Sequence, residues 1–190
     1  MKFTLKFFTT AALLLAATTA SAHSGHSHGG FVSGLLHPML GPDHLLAMAA
    51  IGFWSVRQSP WLQRGTPLFM VAGMFLGAGL AFAGLTLPGV ETGIALTVML
   101  AGVLIATLAK LPTVIGGTLV GSFMVFHGFA HGTEMPAAAS LLTYMAGFGV
   151  ATLAIALAGR GLGVVLAKTD NRVSQALGAV LAATGAFLVA

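Results

Sequence analysis

The chain has no cysteine and almost no acid: four Asp and Glu in 190 residues, beside eight Lys and Arg. Without thiols there are no disulfides, no thiolate metal sites and no cysteine nucleophile, while the redox compartment stays unread. Charged residues make up 6% of the sequence, where soluble domains carry roughly a quarter. That shortage excludes an ordinary soluble domain. The basic residues stand singly between apolar runs rather than in a patch, which argues against nucleic acid as a partner despite a pI of 10.2. There is no GxxxxGK[ST] motif and no connector long enough for a nucleotide domain, so ATP-driven chemistry is not expected.

What the chain has in abundance is hydrocarbon. It is 57% hydrophobic with a mean hydropathy of +0.97, the composition of an integral membrane protein with lipid as its main surroundings. Residues 1–22 read as a cleavable signal peptide. Lys2 and Lys6 form its basic start, 7–17 a short apolar stretch, and Ala20-Ser21-Ala22 the small-x-small cleavage site. The alternative, an uncleaved first helix, needs a longer apolar core. The predicted division is then a signal peptide (1–22), a His-rich extracytoplasmic N-terminus (23–30) and a transmembrane domain (31–190). The predicted fold class is all-α, a polytopic bundle of six transmembrane helices, with spans of ~20 residues expected from the bilayer thickness. They are placed at 31–56, 67–87, 92–109, 113–130, 137–158 and 173–190.

A cleaved signal places the mature N-terminus outside and fixes the side of every connector. Loops 57–66, 110–112 and 159–172 become cytoplasmic, and they hold Arg57, Arg64, Lys110, Arg160, Lys168 and Arg172. Those are all six basic residues of the mature chain, as the bias of cytoplasmic loops toward Lys and Arg requires. The expected setting is the bacterial inner membrane, with both mature termini periplasmic. Gly73 and Gly77, Gly117 and Gly121, and Gly128 and Gly132 have the spacing that lets helices approach closely in lipid.

Against this background two polar clusters stand out. One is His37, Asp43 and His44 in the first span; the other is His127, His131 and Glu134 closing the fourth. A charge at membrane depth costs at least ~2.5 kcal/mol even on insertion scales, so such residues are functional candidates. The i, i+4, i+7 spacing of the second cluster puts it on one helix face. In the first, Pro38, Gly41 and Pro42 interrupt the helix, as in ion sites of transporters. The first span enters from outside and the fourth leaves toward it, so both clusters are expected in the outer half of the membrane. His37 and Glu134 would be outermost, with Asp43, His44 and His127 deeper. Four imidazoles and two carboxylates form an N/O donor set suited to Ni, Co, Zn or Cu(II). Asp43 is expected to hold or orient a metal with His44. Glu91, opening the third span, is either a carboxylate that receives incoming metal or a solvated helix-start acid. Met39 and Met135 are either thioether ligands or packing. His23, His26 and His28, among Gly and Ser, either collect metal or form an inert linker.

The stretches HPMLGPDHLLAM (37–48) and FHGFAHGTE (126–134), with GVETGIAL (89–96) in support, closely resemble the HupE/UreJ family of membrane proteins associated with hydrogenase and urease maturation. The resemblance spans the mature chain. It implies a secondary permease for Ni²⁺, in some members Co²⁺. Recognition would fall to His37, Asp43 and His44, with His127, His131 and Glu134 as the second half. The His37-x5-Asp43-His44 pattern is also similar to the H-x4-DH signature of a separate nickel/cobalt transporter family. Transport rather than catalysis is thus expected, with no permanently bound cofactor. Ni²⁺ or Co²⁺ is cargo, and maturation proteins of a nickel enzyme are the recipients. Three rivals fit the donor set: a membrane-embedded Zn hydrolase, a haem-binding electron carrier, and a metal sensor or assembly factor that does not transport.

Overall fold

The computed structural model describes residues 30–137 and 139–190, and every regular element among them is a helix. These are α1 (Gly30–Leu40), α2 (Pro42–Ser55), α3 (Pro60–Phe82), α4 (Val90–Ala106), α5 (Thr113–Thr133), α6 (Leu141–Leu166) and α7 (Asn171–Val189). Among the described residues α3, α5, α6 and α7 are each long and apolar enough to cross a membrane. Helix α4 is shorter, at 17 residues. The predicted first span is divided into α1 and α2. The predicted signal peptide and the histidines His23, His26 and His28 lie outside the described residues.

The division follows from the sequence. Gly41 is extended (φ −87°, ψ 107°), and Pro42 takes the first position of α2, where no backbone N–H is needed. The Leu45 N–H then donates to the Gly41 carbonyl at 2.9 Å, closing the first turn.

Two predicted boundaries are corrected. Helix α3 starts at Pro60 rather than 67, because Ser59 caps it, its hydroxyl accepting from the Leu62 N–H at 3.3 Å. Pro67 therefore sits inside a helix, where it cannot donate to the Gln63 carbonyl. Arg160 replaces the missing donor, with Nη1 3.0 Å from the Gln63 carbonyl oxygen. Helix α6 likewise runs from Leu141 to Leu166, so Arg160 and Arg64 belong to helices and not to the predicted loops.

Helix α6 packs along both α1 and α2, α3 along α5, and α4 along α7, while α2 also touches α4. Glycines make these seams. A Cβ at Gly34 would strike the Tyr144 carbonyl and one at Gly147 the Phe31 carbonyl, so α1 and α6 meet backbone to backbone. Gly52 and Gly159 join α2 to α6 in the same reciprocal way, and Gly77 and Gly128 join α3 to α5. Where no hydrophobic effect drives helices together, this close approach supplies the dispersion contact. Gly121 differs from the expectation: a Cβ there meets nothing within 4 Å.

The connectors after α2, α4 and α6 gather at one end of the bundle. Arg57 donates to Asn171 (2.9 Å), and the Ser59 and Thr113 hydroxyls pair (3.0 Å). Gln58 is buried and ties the group together. Its Nε2 donates to the Trp54 and Ala109 carbonyls (3.3 and 3.0 Å), and its Oε1 accepts from the Leu111 N–H (3.0 Å). All six basic residues of 30–190 lie at this end. Replacing the amide orphans the partly buried Leu111 N–H and weakens a connector, so Gln58→Ala is expected to cost about 2 kcal/mol. A lower thermal midpoint of the detergent-solubilised protein, read by circular dichroism, checks this; an unchanged midpoint contradicts it.

Candidate functional site

At the opposite end the two predicted clusters meet. His37, in the last turn of α1, places Nε2 2.7 Å from Glu134 Oε2, just past the end of α5. Both are reached by solvent, with side chains 31% and 51% exposed. Inward of this pair the imidazoles follow one another edge to face. His37 and His131 have ring centroids 4.8 Å apart, His131 and His44 4.8 Å, and His44 and His127 4.9 Å. His44, His127 and His131 are buried. His127 lies one helical turn, ~6 Å, deeper along α5 than His131. The result is a file of four rings leading from the surface into the bundle.

Local structure fixes what each ring presents. Asp43 occupies the first turn of α2, where an acid suits the helix N-terminus. Its Oδ1 accepts from the His44 backbone N–H (2.8 Å) and lies 2.9 Å from His44 Nδ1. A carboxylate accepts, so Nδ1 carries the proton and Nε2 the lone pair. His127 Nδ1 lies 2.9 Å from the Phe123 carbonyl, one turn earlier, which orients that ring in the same sense. His44 Nε2, His127 Nε2 and both nitrogens of His131 are buried without a hydrogen-bond partner. A buried polar atom left unpaired costs ~1–3 kcal/mol, and four in one place mark unmet binding capacity. Among the described residues no three His, Asp or Glu side chains form a ready-made metal cage. Neighbouring rings pack against each other instead, so the arrangement is a succession of donors.

Aromatic side chains of α6 wall the file. Phe148 stacks on His131 at 5.3 Å and 12°. Tyr144 stands edge-on to His37 at 6.3 Å and to Phe148 at 5.8 Å. Neither was singled out by sequence. Tyr144 is the one tyrosine in the chain, which was the available signal. Glu91 is exposed in the first turn of α4 and takes no part in the hydrogen bonds or ring contacts of the file. Met135 packs against the core, and Met39 is exposed.

Comparison with known proteins agrees with the motifs. A family profile described as HupE / UreJ protein matches residues 11–188. The chain belongs to the HupE/UreJ family. It is 38% identical to the protein named Protein HupE of Rhizobium leguminosarum bv. viciae over 188 residues, covering 97% of each chain. No solved structure matches. Within this HupE/UreJ protein, the two motifs that carried the resemblance are the segments that meet in the histidine file.

Proposed function

We propose that the chain is a secondary permease that imports Ni²⁺, with Co²⁺ as a second cargo, across the bacterial inner membrane to supply maturation of a hydrogenase or urease. The observation that carries this reading is the file itself: imidazole donors in series from an exposed His–Glu pair to a buried ring, without a closed cage. A conducting site must bind well enough to admit an ion and weakly enough, over several stations, to release it. A Zn hydrolase needs three ligands focused on one metal with an open fourth position, which the spread of donors does not favour. A haem carrier needs room for a porphyrin between paired imidazoles, and these rings touch.

In this reading the protein crosses the membrane six times. Helices α1 and α2 together make the first crossing, and the basic end faces the cytoplasm under the positive-inside rule. His37 and Glu134 then face the periplasm, where His23, His26, His28 and Glu91 would collect metal. The membrane potential supplies the drive. A dication moving inward gains roughly 4.6 kcal/mol per 100 mV, about a thousandfold accumulation, without ATP.

The test is uptake of radioactive Ni²⁺ by cells lacking other nickel importers, with and without this protein. Accumulation is expected to depend on the protein and to be suppressed by excess Co²⁺ far more than by Zn²⁺ or Mg²⁺. Equal background counts from both strains reject transport.

A further inference from the structure

Tyr144 presents a group that the histidine file does not use. It is fully buried, and its hydroxyl has no hydrogen-bond partner. Phenylalanine would fill the same apolar space without the cost of an unpaired buried hydroxyl. The ring is not remote from the chemistry. It stands edge-on to His37, which also meets Glu134 at 2.7 Å and the His131 ring at 4.8 Å. Tyr144 thus borders the passage from the exposed pair to the first buried imidazole.

First-row dications arrive hydrated, and two imidazoles with one carboxylate leave several coordination positions still held by water. Each such water is a donor that needs an acceptor once it leaves bulk solvent. Histidine nitrogens that ligate the metal are no longer free to accept. A neutral phenol oxygen accepts without adding charge, so it supports the ion without trapping it.

We infer that Tyr144 is a specificity-determining positioning residue of the outer station, whose hydroxyl hydrogen-bonds a water ligand of the dication as it passes from His37 and Glu134 to His131. This rests on the transport reading above. Support through retained water favours octahedral ions over Zn²⁺, which prefers four ligands.

The test compares wild type with Tyr144→Phe, which keeps the ring and its packing. In cells, the KM for Ni²⁺ uptake is expected to rise about tenfold with Vmax at matched membrane abundance nearly unchanged, and Zn²⁺ is expected to compete better. In purified detergent-solubilised protein, titration with NiCl₂ should show weaker binding in the variant. The wild type should give a tyrosine absorption difference on Ni²⁺ addition, assignable because the chain has one tyrosine. Unchanged KM, affinity and Zn²⁺ competition overturn the inference, as does a fall in Vmax and abundance alone, the mark of a packing role. The two readings fail separately. Wild type that binds Ni²⁺ through Tyr144 but takes none up rejects transport and keeps the phenol's role. Normal uptake with Tyr144-independent affinity does the reverse. Neither uptake nor binding removes both.

Discussion

Cells producing His44→Ala are expected to accumulate Ni²⁺ at the rate of cells lacking the protein, a fall of at least about a hundredfold at matched membrane abundance. His44 is the one ring in contact with both His131 and His127, so its loss opens a gap in the middle of the file. Neither neighbour spans that gap, since both are anchored on α5. Asp43 acts on the same ring from behind, through Oδ1 to Nδ1 and to the backbone N–H of His44. Asp43→Asn keeps an oxygen acceptor and loses the charge, so uptake is expected to fall by about tenfold to a hundredfold, the usual range for groups that orient metal ligands. Uptake by His44→Ala within a few-fold of wild type would remove the file from the transport path.

Gly128→Val is expected to be the most damaging single change to the bundle. A Cβ at 128 would run into the backbone carbonyl of Met74 on α3, and a backbone cannot swing aside as a side chain does. The α3–α5 seam must then separate, at a cost of about 3 kcal/mol. Because α5 carries His127 and His131, the same shift draws two rings out of the file. Stepwise heating of solubilised protein should show early loss of the folded fraction. Gly121→Ala, on the same helix and facing open space, is the matched control and should melt with the wild type. Equal melting of Gly128→Val and wild type would mean that the seam does not hold α3 to α5.

Much of this was legible in the sequence, for reasons that individual residues make plain. The period of His127, His131 and Glu134 predicts one helix face, and in the structure α5 presents both histidines to the file with Glu134 at its end. Pro38, Gly41 and Pro42 predict an interrupted first span, and the chain breaks at Gly41. The solitary basic residues gather at one end, as expected. The start of α3 had a local signal, the Ser59 cap before Pro60, whereas the other misses were decided by partners distant in sequence. Pro67 looked like a helix start because nothing local supplies the donor that Gln63 lacks, yet Arg160 does so from α6. Gly121 has the spacing of a packing glycine, but only the neighbouring helix determines which glycines of α5 are pressed. Tyr144 and Phe148 were not singled out, because their place beside the imidazoles depends on where α6 crosses α1.

The broken first span has a mechanical consequence. Its two pieces are seated on one uninterrupted 26-residue helix, α1 through Gly34 and Gly147, α2 through Gly52 and Gly159. Helix α6 acts as a splint across a fracture. The hydrogen-bond ladder stops at Gly41, but the alignment of the fragments is held by the rod behind them. The rotational setting of His37 relative to His44 is therefore stored in the spacing of Gly147 and Gly159, in a helix that contributes no imidazole.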